Sequence, residues 1–168
     1  MRYIITCCIA CILLSGCSKD DPNVQVSVYV LKSFTVVPPD STRRFRTDIT
    51  NAVAEDVPLF TKSDIVYYSE SARSFKLSRD LRPVIKDFNA SKGFVVVVNN
   101  EPVYYGVFHP GYLSSMVVGL ATIDPIFFPD YELTIGFITI TGENLEQYDK
   151  RNDQKLIKAL RASGKLRS

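Results

Sequence analysis

Val24, Val26, Val28 and Val30 alternate with Gln25, Ser27 and Tyr29, a period of two that predicts a half-buried strand, and residues 34–37 extend it past a bend. Pro38, Pro39 and Asp40 stop it. The polar stretch 41–56 has weak periodicity and reads as a long connection with one short helical turn. Residues 65–68 and 74–77, separated by the polar turn 69–73, predict a hairpin. Leu81, Val84, Ile85 and Phe88 then fall at i, i+3, i+4 and i+7, so they share one face of a predicted helix. Asp80 is its expected N-cap, because that choice puts Pro83 in the first turn, where a missing N–H breaks no hydrogen bond.

Phe94 followed by four valines has no polar alternation, which predicts a central strand covered on both faces. The expectation is that the 81–88 face packs on it to form the centre of the core. Asn99 and Asn100 tolerate the positive φ of a tight turn, and residues 101–108 return as the second arm. Beyond them the pattern loosens: residues 117–123 suggest a strand, 125–129 a stiff apolar loop, and 133–140 a buried strand. Asn152 is placed to cap a last helix with the stripe Leu156, Ile157 and Leu160, ended by Gly164. The sum is six or seven strands and two helices, an α+β single domain with the helices packed on one face of a mostly antiparallel sheet.

Composition narrows the function. With 46% hydrophobic and 23% charged residues in a chain of 168, the protein is neither disordered nor fibrous. Lys+Arg 20 against Asp+Glu 18 leaves a net charge of +2, which gives no general attraction to a phosphate backbone, so nucleic acid is not an expected partner. One His and no Cys after Cys17 leave little for a zinc site, a thiol nucleophile or a disulfide framework. No Gly-rich phosphate loop is present and no cofactor is expected.

The N-terminus carries an address. Arg2 precedes the uncharged run 3–14, which is too short for a spanning helix of about 20 residues, and small residues follow it. Leu14-Ser15-Gly16-Cys17 resembles the lipobox of bacterial lipoproteins. That resemblance implies a signal peptide over 1–16, an acylated Cys17 that begins a tether over 17–23, and one globular domain over 24–168. Several acyl chains at about 0.8 kcal/mol per buried CH₂ would hold it stably in a membrane. Lys19, Asp20 and Asp21 resemble the surface-export signal of Bacteroidota lipoproteins, which implies an outer-membrane protein facing outward; without that signal it would face the periplasm.

Leu59, Thr61, Asp64 and Ile65, then residues 75–77, the helix to Phe88 and residues 93–103 follow one another in an order that resembles the head part of the periplasmic domain of SecD-type export subunits. The likeness covers residues 58–108 and implies an α+β fold. This chain lacks the membrane helices of a translocase, so proton-driven export is not implied. The mature chain as a whole is similar to small secreted bacterial proteins without an assigned role.

For chemistry, His109 beside Ser114 and Ser115 offers a base near a hydroxyl, but no nucleophile elbow surrounds it and Pro110-Gly111 intervenes. Asp124, Asp130 and Glu132 offer carboxylates for sugar hydrolysis or calcium, at spacings that match no calcium loop. Tyr67-Tyr68, Tyr104-Tyr105, Tyr112 and Phe127-Phe128 are more informative. Strand neighbours point to opposite faces, so one of each pair lies away from the helices, forming either an open ligand surface or the floor beneath a second layer. The basic segment from Asp149 reads as a solvated helix face, or as a contact for anionic headgroups. Two classes of function follow. One is a non-catalytic module binding a protein or glycan partner, with Tyr104, Tyr105, Tyr112, Phe127 and Phe128 as its candidate surface and no catalytic or metal-binding residue. The other is an envelope hydrolase using His109 or a carboxylate pair.

Overall fold

The computed structural model describes residues 23–43, 45–127 and 129–168, so Cys17, Lys19, Asp20, Asp21 and Phe128 lie outside the described residues. The alternating valines form strand β1 (Val26–Val37), which runs through the predicted bend as one strand. Val26 and Val28 face one buried cluster, while Leu31 faces a second on the other side of the sheet. Residues 41–43 make the expected helical turn, but the rest of the polar connection is β2 (Asp48–Ala54), paired antiparallel with β1. Its period is hidden because Asn51 takes a φ of +52° and the register shifts between Leu31 and Ser33 and between Ser33 and Thr35.

The short β3 (Phe60–Thr61) returns to β1, and the predicted hairpin is present as β4 (Ile65–Ser69) and β5 (Ser74–Leu77). Helix α1 is a single turn (Arg82–Ile85). The N-cap position falls at Leu81, one residue after the expected Asp80 and without a side-chain cap bond, while the Asp80 carboxylate accepts the Arg82 N–H at 2.9 Å and Pro83 stands in the first turn as expected. Because the helix ends so soon, only Leu81 and Ile85 are fully buried; Phe88 is half-buried and Val84 is 52% exposed, against the expected four-residue face.

Next come β6 (Gly93–Val98) and β7 (Glu101–Phe108), joined through Asn99 and Asn100 at φ +50° and +65°. Strand β6 is an interior strand, third from the β2 edge, hydrogen-bonded on both sides and buried on both faces as expected. Then follow β8 (Ala121–Ile123), β9 (Glu132–Phe137), helix α2 (Gln154–Ala162) and β10 (Leu166–Arg167). Asp153, one residue after the expected cap, accepts the Lys155 N–H at 2.9 Å, and Gly164 at φ +65° ends the helix. Asn152 instead accepts the Tyr68 hydroxyl and donates to the Glu70 carbonyl. The basic residues of this segment are partly committed: Arg151 is paired with Asp149, Lys155 with Glu101, and Arg167 lies over the Tyr67 ring, while Lys158 and Arg161 face solvent.

Among the described residues the sheet has ten strands, in the order β10-β4-β5-β9-β8-β7-β6-β1-β2 with β3 beside β1. It is mixed, since β8 runs parallel to β7 and β10 parallel to β4. This corrects the expected six or seven mostly antiparallel strands. The additional strands are β2, whose period is broken, and β3 and β10, which have two residues each, too few to show a period. The single α+β domain and the one-sided helices stand, for the buried residues of α1 and α2 join the same cluster as Phe94, Tyr104 and Phe108. Gly106 makes that cluster possible: a Cβ there would lie 2.3 Å from the tip of the Phe94 ring.

Candidate functional site

Strand β7 ends at Phe108 and its neighbour β8 begins at Ala121, paired parallel, so the chain between must leave one end of the sheet and come back along it. The connection from β8 to β9 starts at that same end. Two loops therefore meet there, and a set of internal bonds fixes their shape. The His109 N–H donates to the Ile123 carbonyl at 2.8 Å, and His109 Nε2 lies 2.8 Å from the Ser115 carbonyl oxygen. A carbonyl only accepts, so Nε2 carries the proton; Nδ1 is buried without a hydrogen-bond partner among the described residues. His109 is a strut here, turned to the Ser115 main chain and not to a hydroxyl.

Asp124 is the second brace. One carboxylate oxygen accepts the Gly111 N–H at 3.0 Å, and the other accepts the N–H groups of Ile126 at 2.9 Å and Phe127 at 3.2 Å. Charge-assisted bonds of this kind are stronger than neutral ones. A Cβ at position 111 would come within 2.7 Å of that carboxylate, so any larger residue there would displace the brace. Pro110 and Pro125 are buried beneath the loops. From this frame Tyr112, Met116 and Phe127 project, 69%, 71% and 71% exposed. Apolar side chains of this size are normally covered, and their entropy cost of ordering is reduced by the fixed backbone beneath them.

The predicted site residues thus divide. Tyr112 and Phe127 belong to this loop platform. Tyr104 does not: it is 6% exposed and faces the helix-side cluster, edge-on to Phe94 with ring centroids 6.4 Å apart. Alternation along β7 sends Tyr105 to the opposite, helix-free face, where it borders a shallow groove. Tyr68 is likewise buried, its hydroxyl donating to the Arg151 carbonyl at 2.7 Å. Of the three carboxylates, Asp124 braces the loop and Glu132 accepts the Ser74 hydroxyl, while the side chain of Asp130 lies outside the described residues. Sequence reasoning missed Met116, an isolated residue in an irregular stretch; Asp124 serves the turn chemistry that an Asp beside Pro favours over a carboxylate pair, its side chain capping the following N–H groups.

Burial pushes the Tyr104 hydroxyl well above the ordinary tyrosine range, and this oxygen has no hydrogen-bond partner among the described residues. A buried unsatisfied hydroxyl carries its desolvation cost without return. Tyr104→Phe should therefore raise stability by about 1 kcal/mol in chemical denaturation. A loss of that size would show that the hydroxyl is bonded after all.

At the polar end of the sheet, burial raises the Asp149 carboxyl, but hydrogen bonds and the charge of Arg151 outweigh it and hold the group below its ordinary value. The Arg151 guanidinium meets both Asp149 oxygens, at 2.8 and 2.6 Å, and reaches the Ile135 carbonyl as well. No group of three or more His, Cys, Asp or Glu side chains able to hold a metal ion occurs among the described residues. Nor is any described helix long and apolar enough to cross a membrane. Comparison of the chain with protein-family models, curated proteins and solved structures gives no match.

Proposed function

We propose that this protein is a non-catalytic binding module, anchored at the outer membrane through acylated Cys17 and facing the cell exterior, that presents the braced loop platform to a protein partner. The observation that carries this reading is the trio Tyr112, Met116 and Phe127, each about 70% exposed on backbone held by His109 and Asp124. Exposed anchors on a preorganised frame are what a partner's pockets take up, because little ordering remains to be done on binding. Position supports it too. The described chain begins beside the Asn99–Asn100 turn, where the Gln25 N–H donates to the Asn99 side chain at 2.9 Å. The loops lie at the far end of β7, roughly 25 Å away at the usual rise per residue. The platform thus lies at the end of the sheet opposite Asn23.

Affinity capture from the native envelope tests the platform. The double variant Tyr112→Ala, Phe127→Ala should retain the wild-type unfolding midpoint and lose at least about tenfold in partner affinity, the range for two interface anchors. Undiminished capture would remove the platform from the binding surface. The anchor is tested separately: Cys17→Ser should leave the signal uncleaved or the protein soluble, and a variant still processed and membrane-bound would reject acylation at Cys17.

A further inference from the structure

We infer that the outer edge of strand β2 is an addition site for an extended segment of a partner protein, whose alternate apolar side chains fill the groove beside that edge. Strand β2 ends the sheet. Leu31 and Ala54 form a non-hydrogen-bonded pair, because the bond between their strands falls one residue beyond them, from the Glu55 N–H to the Val30 carbonyl at 2.8 Å. The main chain of Ala54 therefore points away from β1. Val53 pairs with Ser33, so Ala52 points outward as well, up to the irregular Asn51 at φ +52°. Neither alanine's N–H or carbonyl has a hydrogen-bond partner among the described residues. Sheet edges are commonly guarded by charge, Pro or shortness, as β10 is by its two residues and Arg167. Residues 52–54 carry none of these.

The edge selects the occupant. The outward groups of Ala52 and Ala54 set an N–H beside a C=O twice, about 7 Å apart, and an extended peptide matches that repeat with its own backbone. An acyl chain has no groups to offer it. In an added strand, the residues opposite Ala52 and Ala54 turn their side chains to the same face as the alanines, which is the face of the groove. The groove has a volume of about 270 Å³, a floor of Leu31, Val95 and Val97, and no charged lining residue, so the two incoming side chains are apolar. The small size of Ala52 and Ala54 leaves room for them. A second copy of this chain fits less well. Pairing β2 with its own counterpart around Val53 sets alanine opposite alanine and leaves the hollow empty, without the contacts that a filled one makes.

The groove reaches Asn100 and Pro102 at the start of β7, the end opposite the loop platform, so the two surfaces are tested apart. NMR of the full chain follows the amide and methyl signals of Ala52 and Ala54 and the methyl signals of Val95 and Val97 during titration with the peptide acetyl-Thr-Val-Thr-Val-Thr-amide. The shifts should saturate, and hydrogen exchange at the Ala52 and Ala54 amides should slow. The same peptide N-methylated at both valines keeps the side chains but loses the donors, and should bind at least about tenfold more weakly. Ala54→Pro removes an outward donor that the ladder does not use, so the unfolding midpoint should hold while binding falls by a similar factor. Ala54→Leu keeps that donor but fills the hollow, and should also lose the peptide. The variant Tyr112→Ala, Phe127→Ala should bind the peptide as wild type does, whatever it does to partner capture. The inference is overturned if the peptide gives no saturable shift, if the N-methylated peptide binds equally well, or if both Ala54 variants bind as wild type does. It is equally overturned if chitotetraose, or the protein's own concentration, moves these signals and the peptide does not.

Discussion

Phe94→Ala should lower the unfolding free energy by about 3–5 kcal/mol, as for other buried aromatics cut back to a methyl group. The ring is fully buried on interior strand β6, with Phe108 at 5.7 Å and Tyr104 at 6.4 Å between centroids, so its removal opens a cavity among side chains that cannot close around it. Urea denaturation of the two proteins measures the difference. Phe88→Ala provides the contrast. That ring touches Phe108 at 4.9 Å but is half-buried, and its loss should cost clearly less. Equal costs at the two positions would mean that the core is not centred on β6.

Gly106→Ala should also be strongly destabilising, although it adds only one methyl group. The new Cβ would lie 2.3 Å from the Phe94 ring and 2.4 Å from the Ala121 carbonyl oxygen, and the second of these is strand backbone. Either the ring moves or β7 and β8 separate. Overpacking of this kind costs about 1–3 kcal/mol and at times more. The double variant Gly106→Ala, Phe94→Leu should recover part of the loss, since it relieves one of the two collisions, and the unfolding midpoints of the three variants report it. A single Gly106→Ala protein as stable as wild type would contradict the close approach of these strands.

Much of this arrangement can be read from the amino acids, and the reasons for the rest are local. The run Phe94 to Val98 announces a strand buried on both faces because no polar residue interrupts it, and Asn99-Asn100 announces its turn through the conformations these residues tolerate. Strand β2 is illegible because Asn51 and two register shifts break its period, and because alanines, not valines, point inward. At α1 a pattern with helical spacing outlasts the helix itself: Leu81 and Ile85 obey it, and Val84 does not. The aromatic pairs are legible as pairs and illegible in sense. Alternation requires Tyr104 and Tyr105 to part, but only the position of the helices says which one is buried. At the loops, Pro and Gly mark irregular chain, while the bonds of His109 and Asp124 that make it rigid depend on partners six and thirteen residues away in sequence.

Strand β1 starts at the end of the sheet where the described chain begins, and β7 finishes at the end that carries the loops, with β6 antiparallel between them. Under the proposed role, a partner drawn away from the cell pulls β7 upward while the anchor holds β1 down. That load runs along the strands and across the ladder bonds, which lie perpendicular to it. The bonds between β1 and β6 and between β6 and β7 are then strained together in shear, instead of opening one by one from an end. The same connectivity that sets the loops opposite the start of β1 makes these three adjacent strands a mechanical link between the two ends.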